Sequence, residues 1–521
     1  MDLHDKVAKL LVTLKMANRC RYPEFYMKKI LLIVSLLFFC LTMNAELRLK
    51  YPTGDHMVLQ QNAQAAVFGF ATPGATISVT PSWDRATYTA KTDSKGHWTA
   101  YVPTPEASYK TYTVAVKGDG GAITIQDVLV GEVWLASGQS NMEMPIKGFD
   151  NCPVKGFNEI ITQAPARDRI RMLYVRTVQA DEPQEEVTNT DGWLCADPNG
   201  IPEMSAVGYF FARKVNEVLD IPVGVVAFAR GGARVEGWLP KETVAAFGED
   251  VSTEAVKARM DMLRPYEMYN GMQVPLQGYT ARGFIWYQGC SNVGHEDEFV
   301  PRMVELVRQW REDWKDFGNK MPFYMVEITP YSNHNGTGAA LRKAQHDVAK
   351  QVPNCDIICT NDLVAPYEAA NIHPCDKESV GNRLAYLALN RDYGFKTIAC
   401  DAPEAVALNK MEGFGGGFGR PGGARPGAGG AAAPAMTRLE IINCPHGIDR
   451  TVEIEGLEAC GPDGVWHKVD RVMYFRGSLI PMTQEVTDIR EVRYGWADFM
   501  PGNIHSVEGL PLVPFWLKLE E

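Results

Sequence analysis

Basic residues are in short supply in this chain. Its 521 residues carry 52 Lys and Arg against 63 Asp and Glu, a formal net charge of −11. Holding nucleic acid takes a basic face against the phosphates, so no nucleic-acid partner is expected. Long apolar runs are also missing. The one membrane-like segment, residues 30–41, is too short to span a bilayer. There are eleven cysteines, but none are spaced Cys-x-x-Cys, which removes the commonest zinc pattern, and no metal site is expected. Setting aside Cys20 and Cys40 leaves nine, an odd and scattered set that makes a poor disulfide framework. Cys355 and Cys359 read instead as small apolar residues of a buried strand.

The short apolar run has flanks that explain it. Met27-Lys28-Lys29 precedes it and Thr42-Met43-Asn44-Ala45 follows, the basic start and small-residue end of a secretory leader. We therefore expect a signal peptide over residues 27–45, a non-native extension over 1–26 ahead of a start at Met27, and an exported protein, periplasmic or extracellular. Cys40 follows Leu37-Phe38-Phe39, which lacks the small residues expected before a lipid-anchored cysteine, so no membrane anchor is expected in the mature form.

What is present is an ordinary globular composition, 45% hydrophobic and 22% charged, in a length suited to two or three domains. Residues 46–126 alternate apolar and polar in short runs separated by Pro73-Gly74, Asp93-Ser-Lys-Gly96 and Gly118-Asp-Gly-Gly121, the rhythm of an antiparallel β-sandwich. From 127 to 401 the pattern changes. Strands at 128–136, 170–175, 223–228, 283–287, 322–328 and 356–360 interleave with helices at 207–219, 301–314, 338–351 and 377–390. Alternation of that kind implies a parallel sheet in a three-layer α/β/α domain, with functional loops at the strand ends. Residues 402–521 return to a strand pattern and form a small β unit. The Gly/Ala/Pro-rich stretch 413–435 within it cannot bury enough surface to offset its ordering entropy and is expected to be disordered.

Four stretches gather polar residues where a strand ends. In Gly138-Gln-Ser-Asn-Met142 the glycine permits a sharp turn that exposes Ser140 as a candidate nucleophile. In Phe228-Ala-Arg-Gly-Gly-Ala-Arg234 the pair Gly231-Gly232 lets main-chain N–H groups approach an oxyanion. In Trp286-Tyr-Gln-Gly-Cys-Ser-Asn292 the Asn292 amide is a neutral donor suited to the same task. In Asn371-Ile-His-Pro-Cys-Asp-Lys377 the His373 imidazole can take a serine proton near neutrality. Each has a plainer reading as a turn, and it is the set that points to acyl transfer. Trp238, Trp286 and Tyr287 read either as sugar-stacking faces or as core, and Arg230 and Arg234 as carboxylate partners or as solvated surface.

Together these motifs resemble the SGNH hydrolases, in particular the sialate O-acetylesterase family. The likeness runs from Asp55-His-Met-Val-Leu-Gln60 and Gly69-Phe-Ala-Thr-Pro-Gly74 through Ser137-Gly-Gln-Ser-Asn-Met-Glu143, Trp286-Tyr-Gln-Gly289, Leu341-Arg-Lys-Ala-Gln345 and Ile372-His-Pro374 to Val492-Arg-Tyr-Gly-Trp496. It implies an α/β protein whose SGNH (flavodoxin-like) domain is flanked by the sandwich and the small β unit. It also implies a serine esterase that removes acetyl groups from sugar hydroxyls without a cofactor, acting on an O-acetylated sugar or glycan. Ser140 would be the nucleophile and His373 the base. The oxyanion donors would be Ser140, Gly231, Gly232 and Asn292, and Gln139, Gln288, Trp238 and Arg234 would lie along the substrate. Two departures stand out. Cys290 replaces a carboxylate common in Gln-Gly-Glu-Ser-Asn, and Ala370 stands where SGNH relatives carry an Asp three residues before the histidine. Asp362 is the substitute candidate for the third triad member, and a Ser–His dyad is its alternative. The competing functions are an acetylxylan or other glycan acetylesterase and a carbohydrate-binding protein with a degenerate site.

Overall fold

The computed structural model describes residues 46–164, 169–411, 436–475 and 477–520. The leader, the extension before it and the 413–435 stretch lie outside the described residues. Among the described residues the architecture is mixed α/β: one 11-stranded mixed sheet, a three-stranded antiparallel sheet and two four-stranded antiparallel sheets.

The leading strands are β1 (Arg48–Leu49), β2 (Val58–Gln60), β3 (Gln64–Phe70), β4 (Thr76–Pro81), β5 (Tyr88–Lys91), β6 (His97–Pro103), β7 (Ser108–Gly118) and β8 (Gly121–Gly138). The period of two is visible in β6, where Trp98, Ala100 and Val102 are buried and their neighbours are not. β1, β3 and β6 form the small sheet, while β4, β5 and β7 join the first part of β8. Val67, Trp98, Ile77, Val79 and Val116 share the core between them. β8 runs through residues 126 and 127, so one strand serves both the leading β region and the α/β region. It alternates at first and is wholly buried from Val128 on, as a strand covered on both faces must be.

The continuing strands are β9 (Ile170–Val175), β10 (Thr190–Cys195), β11 (Val223–Ala229), β12 (Gly283–Tyr287), β13 (Phe323–Val326) and β14 (Cys355–Ile358), in the order β10-β9-β11-β8-β12-β13-β14. All pair in parallel except β10, which closes the edge antiparallel to β9. β10 was no part of the sequence expectation, because Thr190-Asp-Gly-Trp-Leu-Cys195 is poor in β-branched residues and its register shifts between Thr190 and Trp193.

Five helices position the site: α1 (Ser140–Glu143), α2 (Ala206–Leu219), α3 (Glu296–Asp313), α4 (Gly338–Gln351) and α5 (Lys377–Arg391). Successive strand residues face opposite ways, and the two cores divide accordingly. Trp134, Ala136, Val225, Ala227 and Ile285 pack with α2 and α5, whereas Leu135, Val226, Phe228, Trp286 and Phe323 pack with α3 and α4. Ser205 and Asp376 cap α2 and α5 by accepting the Gly208 and Ser379 amides. α3 starts five residues before Pro301, which sits inside it and only forgoes a bond near the helix start.

The strands from Glu404 to Lys518 form the two four-stranded sheets around Leu439, Leu479, Val492, Tyr494 and Leu512. None of the nine cysteines among the described residues is joined in a disulfide. Among the described residues no helix is long and apolar enough to cross a membrane.

Candidate active site

The site forms where β8 ends beside β11 and β12. Gly138 has φ of 136°, and a Cβ there would lie 2.2 Å from the Tyr287 carbonyl oxygen, so only glycine lets β8 turn this close to β12. The next residue, Gln139, caps α1. Its N–H donates to the Tyr287 carbonyl (2.8 Å) and its side-chain oxygen accepts the Gly289 N–H (2.8 Å). Ser140 opens the helix, half-exposed, and its Oγ lies 2.8 Å from Nε2 of His373.

The histidine is held by a bracket of amides. Asn371 accepts the His373 N–H and donates to its carbonyl (both 2.9 Å), and Asn141, next to Ser140, donates to the Ile372 carbonyl (3.0 Å). The Phe149 ring meets the imidazole edge-on at 5.2 Å. The other end of Asn141 accepts from the ammonium of Lys377 (2.7 Å), a side chain 1% exposed at the start of α5. Burial pushes Lys377 down to about 7. Burial, helped by the Lys377 charge, pushes His373 down to about 4. The imidazole is therefore neutral at physiological pH, the form that can accept a proton from a serine hydroxyl.

Several expected residues lie elsewhere. Asp362 does not reach His373. Its carboxylate receives both Arg383 Nη groups at 2.7 Å and His505 Nε2 at 3.0 Å, and a guanidinium fork is the stronger claim on it. Among the described residues no carboxylate meets His373. Asn292 is 1% exposed, and its amide donates to the Glu236 carboxylate (3.2 and 3.4 Å), which Arg302 also engages. Its oxygen accepts Val235 N–H and Gln288 Nε2. Asn292 is thus a brace between loops and not a free oxyanion donor. Gln139, Gln288 and Trp238 are fully buried, and Trp238 sits among Phe228, Trp286 and Trp310. They are core, as are Trp286 and Tyr287, because amides and rings this close to crossing strands are used to tie loops and fill space. Arg234 donates to the Ser291 carbonyl and contacts His295, and Arg230 pairs with Asp261.

The glycine pair does face the serine. A Cβ on Gly231 would lie 3.5 Å from Ser140 Cβ, and Gly232 takes a left-handed φ of 75°. The Gly231 N–H is occupied, donating to Glu143 Oε2 at 2.5 Å. Burial raises the Glu143 pKa, and the Gly231 N–H and the Arg230 charge offset part of that. Cys290 has its thiol pushed up to about 12 by burial, so it is a neutral group where a carboxylate was expected from the resemblance.

A cavity of about 950 Å³ opens beside His373, which lines it together with Glu143, Phe149, Asp150, Tyr174 and Arg176 among others. Sequence reasoning missed most of this wall. The 145–152 loop carries no motif, and Glu143 and Lys377 fall within motifs that give them no role, since nothing in spacing shows which way they point.

An α/β protein that joins a serine on a strand-to-helix turn to a neutral imidazole beside an open cavity belongs with the ester hydrolases. The model of the carbohydrate esterase family "sialic acid-specific acetylesterase" matches residues 130–390. The chain belongs to that family, and it is an esterase. Similar proteins include the sialate O-acetylesterases of Mus musculus, 27% identical over 408 residues (67% of this chain, 74% of the relative), and of Homo sapiens, 26% over 387 residues (68% and 72%). A carbohydrate acetylesterase from Xanthomonas citri superposes with a TM-score of 0.75 at 28% identity, covering 90% of this chain and 99% of that one.

Proposed function

We propose that the protein hydrolyses acetyl esters on sugar hydroxyls through an acyl-serine, with Ser140 as nucleophile and His373 as base. The observation that carries this is the 2.8 Å Ser140–His373 hydrogen bond at the wall of a cavity large enough for a sugar. His373 takes the Ser140 proton as Oγ attacks the acetyl carbonyl. The tetrahedral oxyanion is received by main-chain N–H groups of Ser140 and the Gly231-Gly232 turn. Its collapse expels the sugar alkoxide, which takes the proton from His373. Water then repeats the attack on the acetyl-enzyme and releases acetate. The ring works as half of a dyad, aligned by Phe149 and the amide bracket in place of a carboxylate.

The sialate O-acetylesterase relatives favour an O-acetylated sialic acid as substrate. A neutral acetylated glycan such as xylan is the second reading. One observation favours it: Lys147 and Arg176, on the cavity wall, are already paired with Glu203 and Asp191 and are not free for a substrate carboxylate. Acetate release from O-acetylated sialic acid and from acetylated xylan oligosaccharides, by wild type and Ser140→Ala, tests both. Release from neither by wild type would end both substrate readings.

We also read residues 27–45 as the leader of an exported protein, 46–126 as a sandwich, 127–401 as an SGNH-type unit of three α/β/α layers and 402–521 as an accessory β unit. Helix pairs on both faces of the parallel strands support the layering. The order of those strands, with β8 between β11 and β12, differs from the simple flavodoxin order.

A further inference from the structure

On the glycine turn Gly231 is the residue that packs against the serine, and its N–H is already taken. Its hydrogen bond to Glu143 Oε2 is 2.5 Å long, and a Cβ on Gly231 would sit between that oxygen (2.9 Å) and Ser140 Cβ (3.5 Å). A carboxylate and a developing oxyanion cannot share one donor, because both are acceptors and both are negative. Before the Gly231 N–H can serve the reaction, Glu143 has to leave it.

Glu143 is free to do so. Among the described residues its carboxylate makes no other hydrogen bond, the nearby Arg230 guanidinium is paired with Asp261, and the side chain forms part of the cavity wall shared with His373. We propose that Glu143 is a specificity residue: it stoppers the Gly231 amide in the free enzyme and is drawn off by a hydroxyl of the substrate's alcohol part. A sugar ester carries hydroxyls beside the acetylated carbon, and each can donate to a carboxylate at the cavity wall. An aryl acetate carries none. Binding of a polyol ester thus exchanges the Gly231–Glu143 bond for a hydroxyl–Glu143 bond and opens the donor, whereas a plain acetate must break the first bond without forming the second. The raised pKa of the buried Glu143 acts in the same direction, because a carboxylate short of partners gains from a new donor.

This rests on the esterase reading above, and the test separates the two. The values of kcat/KM for an aryl acetate and for an acetylated sugar are measured with the full chain as wild type, Glu143→Ala, Glu143→Gln and Ser140→Ala. A charge-assisted hydrogen bond is strong enough that freeing Gly231 is expected to raise aryl-acetate turnover about tenfold in Glu143→Ala, while acetyl-sugar turnover, which loses one bond and no longer has to break the other, changes by less than about threefold. Glu143→Gln, which keeps the size and shape should the alanine variant fail to fold, is expected to raise aryl-acetate turnover by less and again to leave the acetyl sugar nearly unchanged. A common factor for both substrates, or no rise with aryl acetate in either variant, would overturn the proposal. Loss of both activities in Ser140→Ala upholds the esterase reading whatever Glu143 does. Full activity in that variant would remove the reading and the proposal together.

Discussion

Nε2 of His373 lies 2.8 Å from Oγ of Ser140, although 233 residues separate them in the chain. The contact joins the turn after β8 to the loop before α5, and both ends are fastened by Asn141. Because burial and Lys377 push the imidazole down to about 4, it stays neutral far below the ordinary histidine range near 6.5. The base is active in its neutral form, which dominates above its pKa. The acid limb of kcat/KM against pH for an acetyl ester should therefore fall with a midpoint near 4, with activity kept down to about pH 5. A midpoint at the ordinary histidine value would contradict the buried setting.

A nucleophile and a base that act as one unit should fail together. Ser140→Ala and His373→Ala are each expected to lower kcat by about 10⁴-fold or more, and the double variant by no more than the worse single one. Steady-state kinetics on one acetyl ester decides it, and multiplying losses would mean that the residues act independently.

Asn141 and Lys377 touch no reacting atom in this geometry, so their effect should be one of alignment. Asn141→Ala cuts the tie to the Ile372 carbonyl and leaves the Lys377 ammonium without its acceptor. A misplacement of a catalytic group by about 1 Å can cost about 100-fold, so a drop in kcat between about 10- and 100-fold with little change in KM is expected. Lys377→Met removes the charge that helps to depress His373, and the acid limb should move upward toward, but not reach, the ordinary imidazole value, since burial remains.

Much of this was legible in the sequence, and the failures have a common physical cause. The parallel strands and their helices follow from hydrophobic period and length, and Ser140 and His373 follow from residue type at a strand end. Direction is what the chain does not spell out. Asn292, Asp362 and Glu143 each carry the right chemistry just past a strand end, yet the first two turn toward Glu236 and Arg383, and the third turns toward Gly231. A buried polar side chain goes to the strongest partner within reach, and that partner is set by packing across distant segments. The same limit hid β10, whose place depends on the open edge of β9 and not on its own residues.

Asn292 offers a direct check of that point. As a brace it satisfies Val235, Gln288 and Glu236, so Asn292→Ala should cost about 2–3 kcal/mol of stability in denaturant unfolding. Turnover per folded molecule should change little, whereas removal of an oxyanion donor would cost about 100-fold or more. A loss of that size in a variant with unaltered stability would restore Asn292 to the oxyanion site.

Asp362 joins α5 to the accessory β unit, and its behaviour with pH follows from its two partners. Burial alone would raise its pKa, but the hydrogen bonds and charges of Arg383 and His505 outweigh that and hold it below the usual carboxylate range. His505 is raised by its hydrogen bond to Asp362. A depressed carboxylate contributes stability above its unfolded value, about 3.9, and loses it as pH falls through the folded one. A raised histidine contributes below its unfolded value, about 6.5, and loses it as pH rises through the folded one. The His505–Asp362 contact is therefore strongest between about pH 4 and 6.5. His505→Gln should destabilise by about 1 kcal/mol at pH 5.5, and the difference should shrink by about pH 9. Asp362→Asn also strands the buried Arg383 charge and should cost about 3 kcal/mol or more. Its turnover, measured on the folded fraction, should fall far less than that of Ser140→Ala, because the carboxylate makes no contact with His373. Equal losses in the two variants would make Asp362 a catalytic partner after all and would require the His373 loop to move toward it in the working enzyme.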